Sequence, residues 1–137
     1  MIVTLERKNI FETAHKHIAF AVNIEGANDA GFAGAVVRDY WPSLESIGPR
    51  KMGEALSKRA AGKTFHAIVC HSLGHDGWKE TPQVVTEALN KLLVEPSEVV
   101  GIVLMGAGRI CQMQGADVFA ILGGMARSKI KLAVYTL

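Results

Sequence analysis

The sequence predicts an α/β fold, a three-layer α/β/α sandwich around a mixed, largely parallel sheet. Three observations carry this reading. Ile18–Val22 is a continuous apolar run, which suits a strand covered on both faces, and Thr64–Cys70 and Val99–Met105 are further apolar-rich segments of strand length. Segments with helical spacing or helical start and stop signals alternate with them. Glycine-bearing loops follow the three strands at Asn23–Gly34, His71–Lys79 and Gly106–Gly115, where open α/β sheets hold their ligands.

The elements follow in order. Ile2, Val3 and Leu5 give the opening segment Met1–Arg7 a short strand pattern, and IAFAV over Ile18–Val22 is the next strand. After the turn-rich EGANDAG, the segment AGAVVRDYW reads as a helix that offers Ala35, Val36, Tyr40 and Trp41 to an apolar side and stops at Pro42. Pro49–Ala61 predicts a second helix, with Pro near its start and Gly62 at its end. Thr64–Cys70 is a buried strand. Over Thr81–Val94 the spacing predicts the clearest helix: Thr81 caps it, Pro82 fits its first position, and Val85, Ala88, Leu89 and Leu92 form one stripe. Val99–Met105 is a strand, and Ala116–Ser128 reads as a helix weakened at Gly123 and Gly124 by ~1 kcal/mol each relative to Ala. Lys131–Thr136 closes the sheet. No linker, repeat or low-complexity stretch interrupts the pattern, so residues 1–137 are expected to form a single domain.

Composition narrows the functional classes. The chain has 15 Lys and Arg against 13 Asp and Glu, a net charge of +2, which gives no basic excess for nucleic-acid binding. No apolar run approaches the ~20 residues of a membrane helix. The opening MIVTLERKNIFE carries charges where a signal peptide needs its apolar centre, so a soluble, cytoplasmic protein is expected. Cys70 and Cys111 make no disulfide framework.

Several motifs fail on inspection. Gly62-Lys63-Thr64 looks like the end of a P-loop but lacks the earlier Gly, where Ser57 stands, and has helix and strand in the wrong order. Cys70-His71-Ser72-Leu73-Gly74 approximates a nucleophile elbow, yet no His follows His75 to complete a hydrolase triad. His15 and His17, two apart, would share one face of a strand. No histidine pair has zinc-finger or H-E-x-x-H spacing, so no metal is expected.

Taken together, the motifs resemble the macrodomain family of ADP-ribose-binding, Appr-1"-p processing-like modules, in a divergent compact form. Lys8-Asn9-Ile10-Phe11 resembles the family's G-D-I or G-N-I/L-F after its opening strand, and Val22-Asn23 its V-N. Gly31-Phe32-Ala33-Gly34-Ala35-Val36 is similar to G-V-A-G-A-I at the first phosphate-facing helix. Leu104-Met105-Gly106-Ala107-Gly108 resembles the second ligand loop, and Lys131–Leu137 the last strand of compact members that remove ADP-ribose from protein carboxylates or DNA. The second Asn of the family's V-N-A-A-N is not in place, no Lys follows the central strand until Lys79, and Arg109 stands where an acid or small residue is usual.

The resemblance implies binding of ADP-ribose or a related nucleotide, with hydrolysis of ADP-ribosyl linkages as one outcome. A non-catalytic nucleotide reader or protein-interaction domain is the alternative. No cofactor is expected, and nucleic acid enters only as an ADP-ribosylated substrate. Backbone N–H groups of Gly31, Phe32, Ala33 and Gly34 would meet one phosphate, as a glycine loop entering a helix allows. Gly106, Ala107 and Gly108 would wrap the other phosphate and the distal ribose, with Arg109 adding a charge-assisted contact. Asn9 would read the adenine amino group or cap the following turn. Phe32 or Trp78 would stack on the ligand or roof the core. Asn23 would orient the distal ribose or an attacking water. His71 or His75 would act as general base or acid, with Asp76 and Asp29 as fallbacks.

Overall fold

In a strand buried on both faces, every residue must be apolar or satisfied, and successive side chains serve opposite layers. The computed structural model describes residues 1–26, 31–46, 48–71, 82–103 and 122–136, and there the apolar runs form one sheet. Its strands are β1 (Ile2–Arg7), β2 (His17–Asn23), β3 (Ala55–Ala60), β4 (Lys63–His71), β5 (Val99–Val103) and β6 (Lys131–Thr136). The order is β1-β6-β5-β2-β4-β3. All neighbours pair in parallel except the β3–β4 edge hairpin.

Alternation along the strands splits the core into two layers. Ile18, Phe20, Val22, Phe65, Ala67 and Val69 face α1 (Gly31–Asp39) and the short 3-10 turns Ile10–Glu12 and Pro42–Ser46. Ala19, Ile68, Cys70, Val100, Ile102 and Leu132 face α2 (Pro82–Asn90) and α3, the helical residues 122–127. The predicted stripe Val85, Ala88, Leu89 and Leu92 is buried in this second layer. Gly124, buried in α3, accepts a hydrogen bond at its carbonyl from the Thr86 hydroxyl of α2, 2.9 Å away. The layered α/β sandwich with a largely parallel sheet is therefore as the sequence predicts.

Two expectations need correction. No helix spans Pro49–Ala61: Gly53 stands at φ 86, outside helical space, and Ala55–Ala60 pairs with Lys63–Ile68 as an edge strand. Lys, Arg and Ala favour helices in isolation, but a partner for the open side of β4 outweighs propensity. His15 and His17 do not share a face. His15 precedes β2 and meets Tyr135 in the α1 layer, whereas His17 meets His66 on the α2 side.

The β3–β4 connection is a two-residue loop, Ala61-Gly62, with φ of 52 and 75. Two positive φ values in a tight hairpin are the type I′ pattern, whose right-handed twist matches the flanking strands. Ala61 holds this conformation against its own Cβ. Ala61→Asn is expected to stabilise the fold by about 1 kcal/mol, read as a higher urea midpoint at unchanged m-value.

Candidate functional site

Because β1, β6, β5, β2 and β4 run in the same direction, their carboxyl ends lie along one rim of the sheet. Asn23 ends β2 there and is paired in register with His71 at the end of β4. A register shift between Val22 and Asn23 marks the departure of the chain from the ladder. Asn23 is buried, and its carbonyl accepts the Gly26 N–H at 3.3 Å, closing a turn. Gly26 stands at φ 78, and a Cβ there would lie 2.9 Å from the Gly48 carbonyl oxygen, so the first loop is pressed against the segment that follows the Pro42–Ser46 turn. Arg50 donates its backbone N–H to Ile24 at 2.8 Å, tying that segment to the rim. This places a guanidinium in the rim segment, which the helix reading of Pro49–Ala61 concealed.

Helix α1 starts on the same connection. Gly31, Phe32, Ala33 and Gly34 are its first four residues, and the N–H groups of the first turn are those an α-helix leaves without an internal partner. They carry the positive end of the helix dipole. Gly34 is buried. The Phe32 ring belongs to an aromatic row rather than to solvent: it stacks on Phe11 at 4.9 Å and tilts against Phe20 at 5.7 Å. Of the two roles expected for Phe32, the structure gives it the roof of the core.

At the other end of the rim, Arg7, Lys8, Asn9 and Thr136 line an open cleft of ≈ 250 Å³. The Asn9 side-chain oxygen accepts the Phe11 N–H at 3.0 Å, so it caps the Ile10–Glu12 turn. A carbonyl oxygen has a second lone pair, so the cap leaves a further acceptor position. The side chain of His71, and His75, Asp76, Asp29, Trp78, Gly106, Ala107, Gly108, Arg109 and Cys111, lie outside the described residues. Cys70 is a buried, free thiol in the α2 layer. Among the described residues no group of His, Cys, Asp and Glu comes together as a metal-ligand set. No helix among them is long and apolar enough to cross a membrane.

No family model and no curated protein matches the sequence. Solved structures do match. The macrodomain of Thermus aquaticus DarG is 18% identical with a TM-score of 0.65, over 98% of this chain and 97% of that one. The chain has the macrodomain fold. A mutant Oceanobacillus iheyensis macrodomain with ADPR is 12% identical with a TM-score of 0.66, over 96% and 83% of the two chains. The Trypanosoma brucei macrodomain in complex with ADP is 13% identical with a TM-score of 0.58, over 97% and 62%. This macrodomain fold also covers 96% of the chain in a match to an alphavirus structure titled P23pro-zbd, of which it spans only 21%.

The opposite rim of this macrodomain sheet holds a polar cluster that no motif announced. His66 is 1% exposed, with Nδ1 2.7 Å from the Ser57 hydroxyl and Nε2 2.9 Å from His17 Nδ1. His17 Nε2 is 3.1 Å from Glu98 Oε2. Burial, and then the neighbouring His17, pull the His66 pKa down from 6.5 to about 4. Glu98 is held below the usual carboxylate range, first by the Glu95 N–H at 3.2 Å and then by His17. The unfolded chain binds a proton at His66 near pH 6.5, and the folded chain does so only near 4. Acidification across that window therefore favours unfolding, by roughly 3 kcal/mol at most from this group. The wild-type urea midpoint should fall between pH 7 and pH 4.5, and should fall less in His66→Gln. A flat wild-type profile would refute the account.

Proposed function

We propose that the chain, as one domain over residues 1–137, binds ADP-ribose or a related nucleotide along the carboxyl rim of its sheet. The observation that carries this is the start of α1, whose first-turn N–H groups point off the helix end at the rim where Asn23 is buried. That is anion-binding chemistry, and a diphosphate is the anion that the family resemblance implies for it. Structural neighbours described with ADPR and with ADP support the same ligand class.

In this reading Gly31, Phe32, Ala33 and Gly34 meet one phosphate, and Gly106, Ala107, Gly108 and Arg109 enclose the other phosphate and the distal ribose. The adenine end takes the cleft beside Asn9, whose oxygen contacts the exocyclic amino group through its second lone pair. Arg7 and Lys8 add positive potential there. A ligand selective for the folded state at 100 times its dissociation constant adds ~2.7 kcal/mol of stability. ADP-ribose, and to a smaller degree ADP, is expected to raise the unfolding midpoint, with AMP and NAD as comparators. Gly108→Glu should abolish the shift while leaving the ligand-free midpoint unchanged, because the added carboxylate repels phosphate. A midpoint unmoved by any of the four nucleotides would favour a domain that acts through protein contacts.

Hydrolysis is the further step of the proposal. Asn23 orients a water at the anomeric carbon, and the neutral imidazole of His71 or His75 takes its proton at pH 7. The glycosidic bond breaks as the water oxygen bonds to that carbon, and the displaced carboxylate or base leaves. Asp76 and Asp29 are the alternative bases. Loss of a general base costs typically 10²–10⁴-fold. Release of free ADP-ribose from modified protein and modified DNA should fall by that much in His71→Ala or His75→Ala, and also in Asn23→Ala. Binding without release by the wild type identifies the non-catalytic reader instead.

A further inference from the structure

The cluster at the amino-terminal rim has a direction. Glu98 is ionised and can only accept, so His17 Nε2 must carry the hydrogen of the 3.1 Å bond. In neutral His17 the other nitrogen, Nδ1, is then an acceptor, and His66 must donate to it from Nε2 across 2.9 Å. Neutral His66 is left with Nδ1 as an acceptor, and the Ser57 hydroxyl must donate to it across 2.7 Å. With both imidazoles neutral the links share one direction, from a hydroxyl on the edge strand, through two imidazoles, to a carboxylate.

The geometry points to Ser57 as a nucleophile activated by a Ser57–His66–His17–Glu98 relay, a second reactive site at the rim opposite the nucleotide site. The elements that build it come from four separate segments. Ser57 lies on β3 opposite His66 on β4, His17 opens β2 beside β4, and Glu98 immediately precedes β5. His66 is buried and His17 nearly so, with 14% of its side chain exposed, whereas Ser57 faces solvent and Glu98 is 30% exposed. The reacting oxygen is therefore accessible and its base is shielded, the usual arrangement for an activated hydroxyl.

Proton movement along this chain is balanced. As Ser57 Oγ bonds to the carbonyl carbon of an acyl ester, its proton passes to His66 Nδ1 and the Nε2 proton of His66 passes to His17 Nδ1. The positive charge then rests on His17, against the Glu98 carboxylate, and not on buried His66. Collapse of the tetrahedral adduct breaks the ester C–O bond, and the leaving alkoxide takes the proton from His66 Nδ1 while His66 recovers one from His17. Water repeats the sequence to release the acid and restore the hydroxyl. The substrate class is a small, unhindered carboxylic ester approaching an open sheet edge.

The test uses the full chain with a fluorophosphonate, which forms a Ser57 O–P bond with loss of fluoride, and with p-nitrophenyl acetate, followed by intact-mass measurement and peptide mapping. One adduct on Ser57, absent in Ser57→Ala, is expected. Its rate should fall 10²–10⁴-fold in His66→Gln and about tenfold in Glu98→Gln, since the surface carboxylate acts only through His17. Glu98→Gln keeps the test decisive if the buried His66 substitution unfolds the chain. Absence of a Ser57 adduct on the folded wild type, labelling spread evenly over several serines, or a Ser57 rate unchanged in Glu98→Gln would each overturn the assignment.

Discussion

Parallel pairing of β2 with β4 on one side and β5 on the other is the constraint on which the other features rest. It buries β2 on both faces, so Ile18, Phe20 and Val22 can belong to one layer while Ala19 belongs to the other. It also sorts the chain's polar chemistry by position. Everything that follows a parallel strand emerges at one rim, and everything that precedes one gathers at the other. Asn23 and the start of α1 fall on the first rim, and His17 and Glu98 on the second, with no local signal needed to separate them.

The start of α1 can serve the proposed nucleotide site only if it is held still, and the aromatic row does this. Phe32 stacks on Phe11, Phe11 on Tyr40, and Tyr40 on Phe65 at 4.7 Å between ring centroids. Such pairs contribute about 0.5–1.5 kcal/mol each beyond burial. The row runs from the Ile10–Glu12 turn across both ends of α1 to β4 in the sheet. It couples the Asn9 cap, and thus the cleft lined by Arg7 and Lys8, to the first turn of α1. The two ends of the proposed nucleotide site are thereby registered through packed rings and not through the loops.

The sheet was legible because strands covered on both faces are written as apolar-rich runs: Ile18–Val22 and Val99–Met105 are unbroken, and Thr64–Cys70 departs from the pattern at Thr64 and His66. The stripe on α2 was legible because helical spacing and burial agree. At β3 the two disagree: Lys58 and Arg59 face solvent on an edge strand, and nothing in ALSKRA alternates strongly enough to oppose its helical propensity. Asn23 and the start of α1 could be placed at the carboxyl rim from strand direction. The histidine relay could not, since His17 and His66 are 49 residues apart and meet only once the β2–β4 register is set. Ser57 entered the sequence reading only as a reason to reject a P-loop, and its neighbour across the hairpin was invisible there.

The position of β6 has a consequence for the order of assembly. β1 pairs in this sheet only with β6, the last strand of the chain, with Leu5 opposite Val134 and Arg7 opposite Thr136. The central pairs β2–β4 and β3–β4 close over much shorter separations. Of the described strands, then, β1 is the one whose partner lies farthest along the sequence. Until residues 131–136 have left the ribosome, β1 carries two unpaired edges and the exposed apolar side chains of Val3 and Leu5. Non-local pairing of this kind slows folding. The slowest step should thus be docking of β6 between β1 and β5, the event that converts the four-stranded β5-β2-β4-β3 core into the finished sheet.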